Sequence, residues 1–209
     1  KTLYYQLRDS SSNLELRSNF IMDNEENNMS YPYNNGMLCV GDEFPSFELQ
    51  GINSNNEIVP VSVEEKFTHY KHDWSVIYFY PKDFTFICPT EISAMDILTS
   101  DANVIGISGD NEFCKLAWKE SNELIGNIQH TLAADCGLSL SEQLGIVNYE
   151  EGVCYRATFI IDKNRVIQHV SVNALDTGRN ADEVLRTLQA LKAGGLTGCS
   201  WQPEDDFVA

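Results

Sequence analysis

The chain has 209 residues, which is enough for one domain with a sizeable core and an appendage. Its formal net charge is −17 at pH 7, and no basic stripe is present, so the composition argues against a nucleic acid partner and against anionic membrane surfaces. No apolar run approaches the roughly 20 residues of a transmembrane helix, so we also expect no membrane span.

The first 36 residues differ in composition from the rest, because they are rich in asparagine and carry an acidic segment at 23–28. We predict a flexible extension at 1–36, which could also serve as a partner-binding arm, a domain at 37–195 and a C-terminal tail at 196–209. The extension lacks the layout of a secretory signal, and its acidic residues are unlike a transit peptide, so we expect a cytoplasmic protein.

Apolar periodicity predicts strands alternating with helices. The predicted strands are residues 44–49, 58–63, 76–80, 104–108, 130–133, 155–161 and 166–172, with a turn at 51–56 between the first two. The first and last predicted helices are residues 89–99 and 181–192. Between them, Asp110 is predicted to cap a helix in which Phe113, Leu116 and Ala117 share a face. The capping box Ser139-x-x-Glu142 is predicted to open a further, short helix. This order predicts an α/β protein with a mixed central sheet and helices on both faces.

The six cysteines are too sparse for a disulfide scaffold, and none forms a C-x-x-C pair, which argues against a thioredoxin-type motif and the usual zinc spacing. The histidines do not cluster with cysteines at ligand spacing, so we expect no metal site. The segment Gly106-Ile-Ser-Gly109 is too short for a dinucleotide loop, and we expect no cofactor.

Cys88 lies in the most informative stretch of the chain. The apolar strand 76–80 leads into a short loop, and Cys88 stands at the first turn of the following helix, with Pro89 at the first helical position. A helix N-terminus offers unpaired N–H groups and a partial positive charge, and both favour a thiolate over a thiol. Cys88 is therefore the candidate nucleophile.

The residues around Cys88 carry a specific signature. Pro81, Thr85 and Cys88 match the pattern P-x-x-x-T-x-x-C, which continues with Pro89 and Glu91. Two further segments match in order, namely 152–157 with Arg156 and 199–201 with Cys199. From roughly residue 38 to residue 201 the chain resembles the typical 2-Cys peroxiredoxins, in the branch of the alkyl hydroperoxide reductase C proteins. The resemblance implies a thioredoxin-like fold and reduction of hydrogen peroxide and organic hydroperoxides.

Converting the thiol of Cys88 into a thiolate would gain only about 25-fold at neutral pH, whereas enzymes accelerate reactions by about 10⁶ or more. The site must therefore also stabilise charge that moves along the O–O bond. We expect Thr85 to hydrogen-bond the peroxide and Arg156 to hold the thiolate and the leaving oxygen. Pro81 would shape the loop and shield the sulfur. In the family, the position of Glu91 helps to orient the arginine.

The resemblance implies that Cys199 of a partner subunit resolves the sulfenic acid of Cys88 as a disulfide, in a homodimer that can assemble into a decameric ring. A thioredoxin-like dithiol protein would return the electrons. Since a disulfide requires Cα atoms within roughly 7 Å, we expect residues 86–92 to unwind and a mobile tail to move. Two alternatives stay open: resolution by another thiol such as Cys136, or a thioredoxin-fold binding or chaperone module with a structural cysteine.

Overall fold

The structure is a computed structural model that describes residues 36–63 and 71–209. The predicted extension at 1–36 lies outside the described residues apart from Gly36. None of the helices within the described ranges combines the length and the apolar character needed to cross a membrane.

In the described residues, nine strands and four α-helices follow one another, and the seven predicted strands and four predicted helices appear in the predicted order, whereas the two-residue strands β6 and β7 were not predicted. The strands are β1 Glu48–Ile52, β2 Ile58–Ser62, β3 Ser75–Phe79, β4 Asn103–Ser108, β5 Thr131–Ala134, β6 Val147–Asn148, β7 Val153–Cys154, β8 Arg156–Ile161 and β9 Ile167–Asn173. The helices are α1 Cys88–Met95, which continues as a 3-10 turn over Asp96–Ser100, α2 Glu112–Ser121, α3 Ser139–Gln143 and α4 Ala181–Ala193.

Seven of the strands form one mixed sheet in the order β2-β1-β5-β4-β3-β8-β9, while β6 and β7 pair separately. Strands β3, β4 and β5 run parallel, and the other pairings are antiparallel. The sheet is buried on both faces because successive side chains of its central strands enter different cores. Val76 and Tyr78 pack with α1, Trp118 and α4, whereas Ile77 and Phe79 pack on the opposite face. The predicted mixed sheet with helices on both faces is confirmed.

The first strand lies further along the chain than predicted. Residues 51 and 52, which the sequence assigned to a turn, belong to β1, while Phe44 and Phe47 are buried outside any strand. Gly51 has a packing role here, since a Cβ at this position would lie 2.7 Å from the Val61 side chain and 2.8 Å from the Leu132 carbonyl oxygen. Glycine therefore reports close approach of neighbouring strands rather than a turn.

The capping predictions for α2 and α3 were wrong. Asn111, not Asp110, caps α2, because the Asp110 carboxylate instead accepts hydrogen bonds from Ser108 Oγ and from the Asp83 N–H. No side chain caps α3 from its N-cap position. The Asp135 carboxylate accepts from the first N–H groups of that helix in place of the predicted capping box.

The buried face of α2 also differs from the prediction. Phe113 is 65% exposed and Ala117 is exposed, whereas Trp118 and two lysines, Lys115 and Lys119, are buried. Lysine side chains are rarely buried, so a sequence pattern places them on the solvent face of a helix unless a buried acceptor is known. The apolar pattern of α2 therefore indicated the wrong face as the buried one.

The C-terminal tail is folded rather than extended. The Val208 N–H donates to the Leu196 carbonyl oxygen at 2.9 Å, and the Trp201 ring stacks on Phe207 with centroids 6.1 Å apart. Arg186 of α4 donates to the Trp201 carbonyl oxygen at 3.3 Å. These contacts fold residues 196–208 back on themselves and against α4, and the mobility that the sequence predicts for the tail stays a prediction.

We predict that stability falls below about pH 6.5 because of His130, which is buried between Tyr78 and Asp96 (2.7 and 2.8 Å). Burial lowers the pKa of His130, although the hydrogen bond to Asp96 opposes this shift. Between the lowered pKa and about 6.5 the unfolded chain therefore binds a proton that the folded chain does not. The loss approaches about 1.4 kcal/mol per pH unit.

The measurement is urea unfolding of the reduced protein at pH 7.5 and at pH 5.5, for wild type and for His130→Gln. The half-buried His169 also has a pKa lowered by burial and contributes a slope of the same sign in both proteins. A shallower pH dependence in His130→Gln is expected, and an identical pH dependence would contradict the assignment.

Candidate active site

Cys88 is the first residue of α1 and follows the loop that leaves the carboxyl end of β3. Pro89 follows it in the first turn, and the Cys88 side chain is completely buried. Because β8 runs antiparallel to β3, with Tyr78 opposite Thr158, the beginning of β8 lies beside the end of β3. Arg156, the first residue of β8, therefore lies at the same end of the strands as Cys88.

Arg156 contacts both the sulfur and a carboxylate. Its Nη1 lies 3.4 Å from Cys88 Sγ and also donates to Glu91 Oε2, while its Nε donates to the Leu175 carbonyl oxygen at 2.8 Å. Burial by itself lowers the pKa of Arg156, but the hydrogen bond to Cys88 and the charge of Glu91 raise it overall. The guanidinium is thus a permanent cation with a fixed orientation beside the sulfur.

A second arginine, Arg179, was missed at the level of sequence. It precedes α4 and donates from Nε (2.9 Å) and from its backbone N–H (3.0 Å) to Glu91 Oε1. Its guanidinium carbon lies 5.1 Å from the centre of the Tyr78 ring. One signal was available in the sequence. An arginine directly before a helix is opposed by the helix macrodipole, so a cation at this position indicates a carboxylate elsewhere that holds it.

The buried charges beside the sulfur do not balance among themselves. Glu91, Arg156 and Arg179 are all nearly inaccessible to solvent, and together they carry one uncompensated positive charge. Buried charges require partners, and a deprotonated Cys88 sulfur brings the group of four residues to neutrality. The arrangement can therefore hold a thiolate nucleophile together with a cation that faces the developing charge of a leaving group.

Of the six residues predicted for the site, the structure brings Cys88, Glu91 and Arg156 into contact. Thr85 and Pro81 lie in the adjoining loop and are half-buried, and the Thr85 hydroxyl donates to the Lys82 carbonyl oxygen at 2.9 Å. Cys199 is exposed in the tail, whereas Cys88 is buried, and both are free thiols that are not joined in the chain.

Two other cysteines differ in accessibility. Cys154 is buried, its thiol donates to the Tyr80 carbonyl oxygen at 3.1 Å, and burial raises its pKa to about 12, which makes it unreactive at neutral pH. Cys136 is exposed and free, so it retains the accessibility that a thiol partner requires.

One group of side chains has potential metal ligands. Within the described part of the chain, one ligand atom each from Asp83, Asp110 and Cys114 lies within 4.8 Å of the others. The ammonium group of Lys115 is 3.5 Å from Asp83 Oδ1 and already supplies a positive charge to this group. We therefore assign no metal to it, and the chemistry of the site rests on sulfur.

Comparisons with known proteins agree with this geometry. The AhpC/TSA family model matches residues 40–170. An alkyl hydroperoxide reductase C of Mycolicibacterium smegmatis is 38% identical over 82% of this chain and 94% of that protein. A putative peroxiredoxin, YkuU, of Bacillus subtilis is 40% identical over 78% of this chain and 94% of its own.

Solved structures give the same result. The reduced 2-Cys peroxiredoxin of Plasmodium vivax superposes with a TM-score of 0.72 at 34% identity, covering 80% of this chain and 91% of that one. The AhpC of Mycobacterium tuberculosis has a TM-score of 0.70 at 35% identity, covering 79% and 99%. The thioredoxin-like fold and the family resemblance are both confirmed, and the chain belongs to the AhpC/TSA family as a peroxiredoxin, a thiol-dependent peroxidase.

Proposed function

We propose that Cys88 reduces hydrogen peroxide and organic hydroperoxides, with Arg156, Thr85, Pro81 and Glu91 as the other residues of the site. The Cys88 thiolate attacks one peroxide oxygen, the S–O bond forms as the O–O bond breaks, and the sulfur is oxidised to a sulfenic acid. The other oxygen leaves as hydroxide or alkoxide and takes a proton to become water or an alcohol. The 3.4 Å contact between the Arg156 guanidinium and Cys88 Sγ is the observation that carries this proposal.

Each of the other residues has a defined role in this step. Arg156 stabilises the negative charge that develops on the leaving oxygen, because its rigid donors already point at the sulfur. Thr85 donates its own proton to the Lys82 carbonyl oxygen, so its hydroxyl oxygen is free to accept a hydrogen bond from the peroxide. Pro81 offers no donor, shapes the loop and shields the sulfur, and Glu91 positions Arg156.

The second step in the proposal uses Cys199 of a partner subunit. Its thiol condenses with the Cys88 sulfenic acid to give a disulfide and water, and a thioredoxin-like dithiol protein then reduces that disulfide. The exposure of Cys199 supports this role, since a resolving thiol and an external reductant both need access to it. Cys136, which is also exposed, is the competing candidate for the resolving thiol.

The enzyme in this proposal is a homodimer that can form a decameric ring. Strand β9 is an edge of the main sheet, and edge strands offer unpaired backbone groups to a second copy. Phe84, Phe86 and Phe113 are 59%, 95% and 65% exposed, and aromatic groups this exposed favour a contact surface between copies.

The proposed location is the cytoplasm. All six cysteines are unpaired, which suits that reducing compartment.

We predict that Cys88→Ser abolishes fast peroxide consumption by the reduced protein, because the Cys88 sulfur is the thiol that Arg156 contacts. The check is stopped-flow peroxide consumption in a single turnover. Cys136→Ser is the control and should keep the wild-type rate. Consumption that survives in Cys88→Ser would contradict the proposal, and no fast consumption in the wild type would leave the binding-module alternative.

We predict that mild peroxide treatment links two subunits through Cys88 and Cys199, which doubles the apparent mass on non-reducing electrophoresis. The Cys199→Ser variant should still consume one equivalent of peroxide but should give no covalent dimer. A dimer that persists in Cys199→Ser and disappears in Cys136→Ser would instead identify Cys136 as the resolving thiol.

We predict that Arg156→Lys lowers the second-order rate constant with peroxide by about 10² to 10³-fold, the cost of losing one preorganised donor. Lysine keeps the positive charge but loses the planar guanidinium, which donates from Nη1 to the sulfur and Glu91 and is held in place by the bond from Nε to the Leu175 carbonyl oxygen. Arg165→Lys, which alters the exposed ion pair with Glu43, is the matched control and should leave the rate unchanged. Equal rates for wild type and Arg156→Lys would refute the role of Arg156.

A further inference from the structure

The loop that carries Pro81 and Thr85 is attached to the rest of the molecule at Asp83. The Asp83 side chain is completely buried, and its Oδ1 accepts a hydrogen bond from the Tyr80 hydroxyl at 2.9 Å. The Asp83 backbone N–H donates to Asp110 Oδ2 at 2.8 Å. Hydrogen bonds from the Tyr80 hydroxyl and to Asp110 therefore fix both the side chain and the backbone of Asp83.

Lys115 of α2 is the centre of that attachment. Its side chain has no solvent exposure, and its ammonium group lies 3.0 Å from the Tyr80 hydroxyl, 2.5 Å from Ser108 Oγ and 3.5 Å from Asp83 Oδ1. Burial lowers the pKa of Lys115, and the charge of Asp83 opposes that shift. Burial likewise raises the pKa of Asp83, and Lys115 opposes it. Each group thus offsets part of the cost of burying the other's charge.

The next residue of the loop is in an unfavourable conformation. Phe84 has φ of 54°, in the left-handed region that bulky side chains rarely adopt, and its ring stands 5.9 Å from that of Trp118 on α2. A conformation of this kind persists only where surrounding contacts impose it. The buried network at Asp83 and the ring contact at Trp118 supply those contacts, so the loop would relax if the network were removed.

We propose that the network of Lys115, Asp83, Tyr80 and Ser108, here called the loop anchor, holds the active-site loop closed and limits how readily α1 unwinds to expose Cys88. Lys115 is a positioning residue in this account, because it acts on the loop and does not touch the sulfur. The consequence for turnover rests on the proposed disulfide between Cys88 and Cys199, whereas the effect on loop opening does not.

Two reactions compete for the sulfenic acid of Cys88. In one, the Cys199 thiol displaces water and the disulfide forms, which requires the loop to open. In the other, the deprotonated sulfenic acid attacks a second peroxide, breaks its O–O bond and is oxidised to a sulfinic acid, while the peroxide is reduced to water or an alcohol. The second reaction needs the closed site beside Arg156. The loop anchor therefore sets the ratio of the two products.

The test compares Lys115→Met with Lys119→Met, because both replace a buried lysine on the same helix. Lys119 donates to the carbonyl oxygens of Asn53 and Ser54, in the turn between β1 and β2, and is not part of the loop anchor. Asp83→Asn is a milder second variant, since it keeps the shape of the side chain and removes its charge.

The first readout is amide hydrogen exchange of the reduced proteins in residues 84–92. Lys115→Met is expected to accelerate exchange there about tenfold, the change expected when a buried hydrogen bond to a charged group is lost, with a smaller increase in Asp83→Asn. Lys119→Met is expected to accelerate exchange in the turn at 53–57 and not in 84–92. Equal exchange of 84–92 in wild type and Lys115→Met, or equal acceleration by both lysine variants, would overturn the proposal.

The second readout is the peroxide concentration at which half of Cys88 becomes sulfinic acid in one turnover, followed by intact mass. It should rise about tenfold in Lys115→Met and stay unchanged in Lys119→Met. An unchanged value in Lys115→Met, with a disulfide formed, would overturn the effect on product ratio. Faster exchange in 84–92 in a protein that never forms the Cys88 to Cys199 bond would support the anchor and refute the proposed resolving step.

Discussion

The site depends on one buried carboxylate held between two buried guanidinium groups. Glu91 Oε2 accepts from Arg156, and Oε1 accepts from both the side chain and the backbone of Arg179. Unpaired ions are costly inside a protein, so removal of any one member leaves charge that the others cannot balance. The same pairing leaves Arg156 with one donor directed at Cys88, which is how a structural charge cluster also orients a reactive sulfur.

The backbone brings these groups together through ordinary geometry. Cys88 and Glu91 are three residues apart in the first turn of α1, so they share a helix face. Arg156 begins β8 beside the end of β3, and Arg179 precedes α4, whose buried residues Val184 and Leu188 pack in the same core as Cys88. The end of β3, the start of β8 and the starts of α1 and α4 therefore meet at one end of the sheet's central strands.

Much of this was accessible from the sequence, and the remainder has identifiable physical causes. The central strands and α4 were predicted because local apolar periodicity determines them, and Cys88, Glu91 and Arg156 because local motifs carry them. The two failures that matter most for the site and its loop, at Lys115 and Arg179, share one origin, which is partnership over a long distance in the sequence. Lys115 is buried because Asp83, 32 residues away, accepts its charge, and Arg179 meets a carboxylate 88 residues away. Periodicity and capping rules use only neighbouring residues, so they do not predict ion pairs between residues this far apart in the sequence.

The most direct test of the central claim is a double-mutant cycle on the second-order rate constant for peroxide, with Glu91→Gln and Arg156→Lys singly and together. Glu91 acts through Arg156 in this account, so the double variant should be no slower than Arg156→Lys alone. Additive losses would mean that Glu91 acts on the sulfur or the peroxide independently of Arg156, and that result would contradict the account.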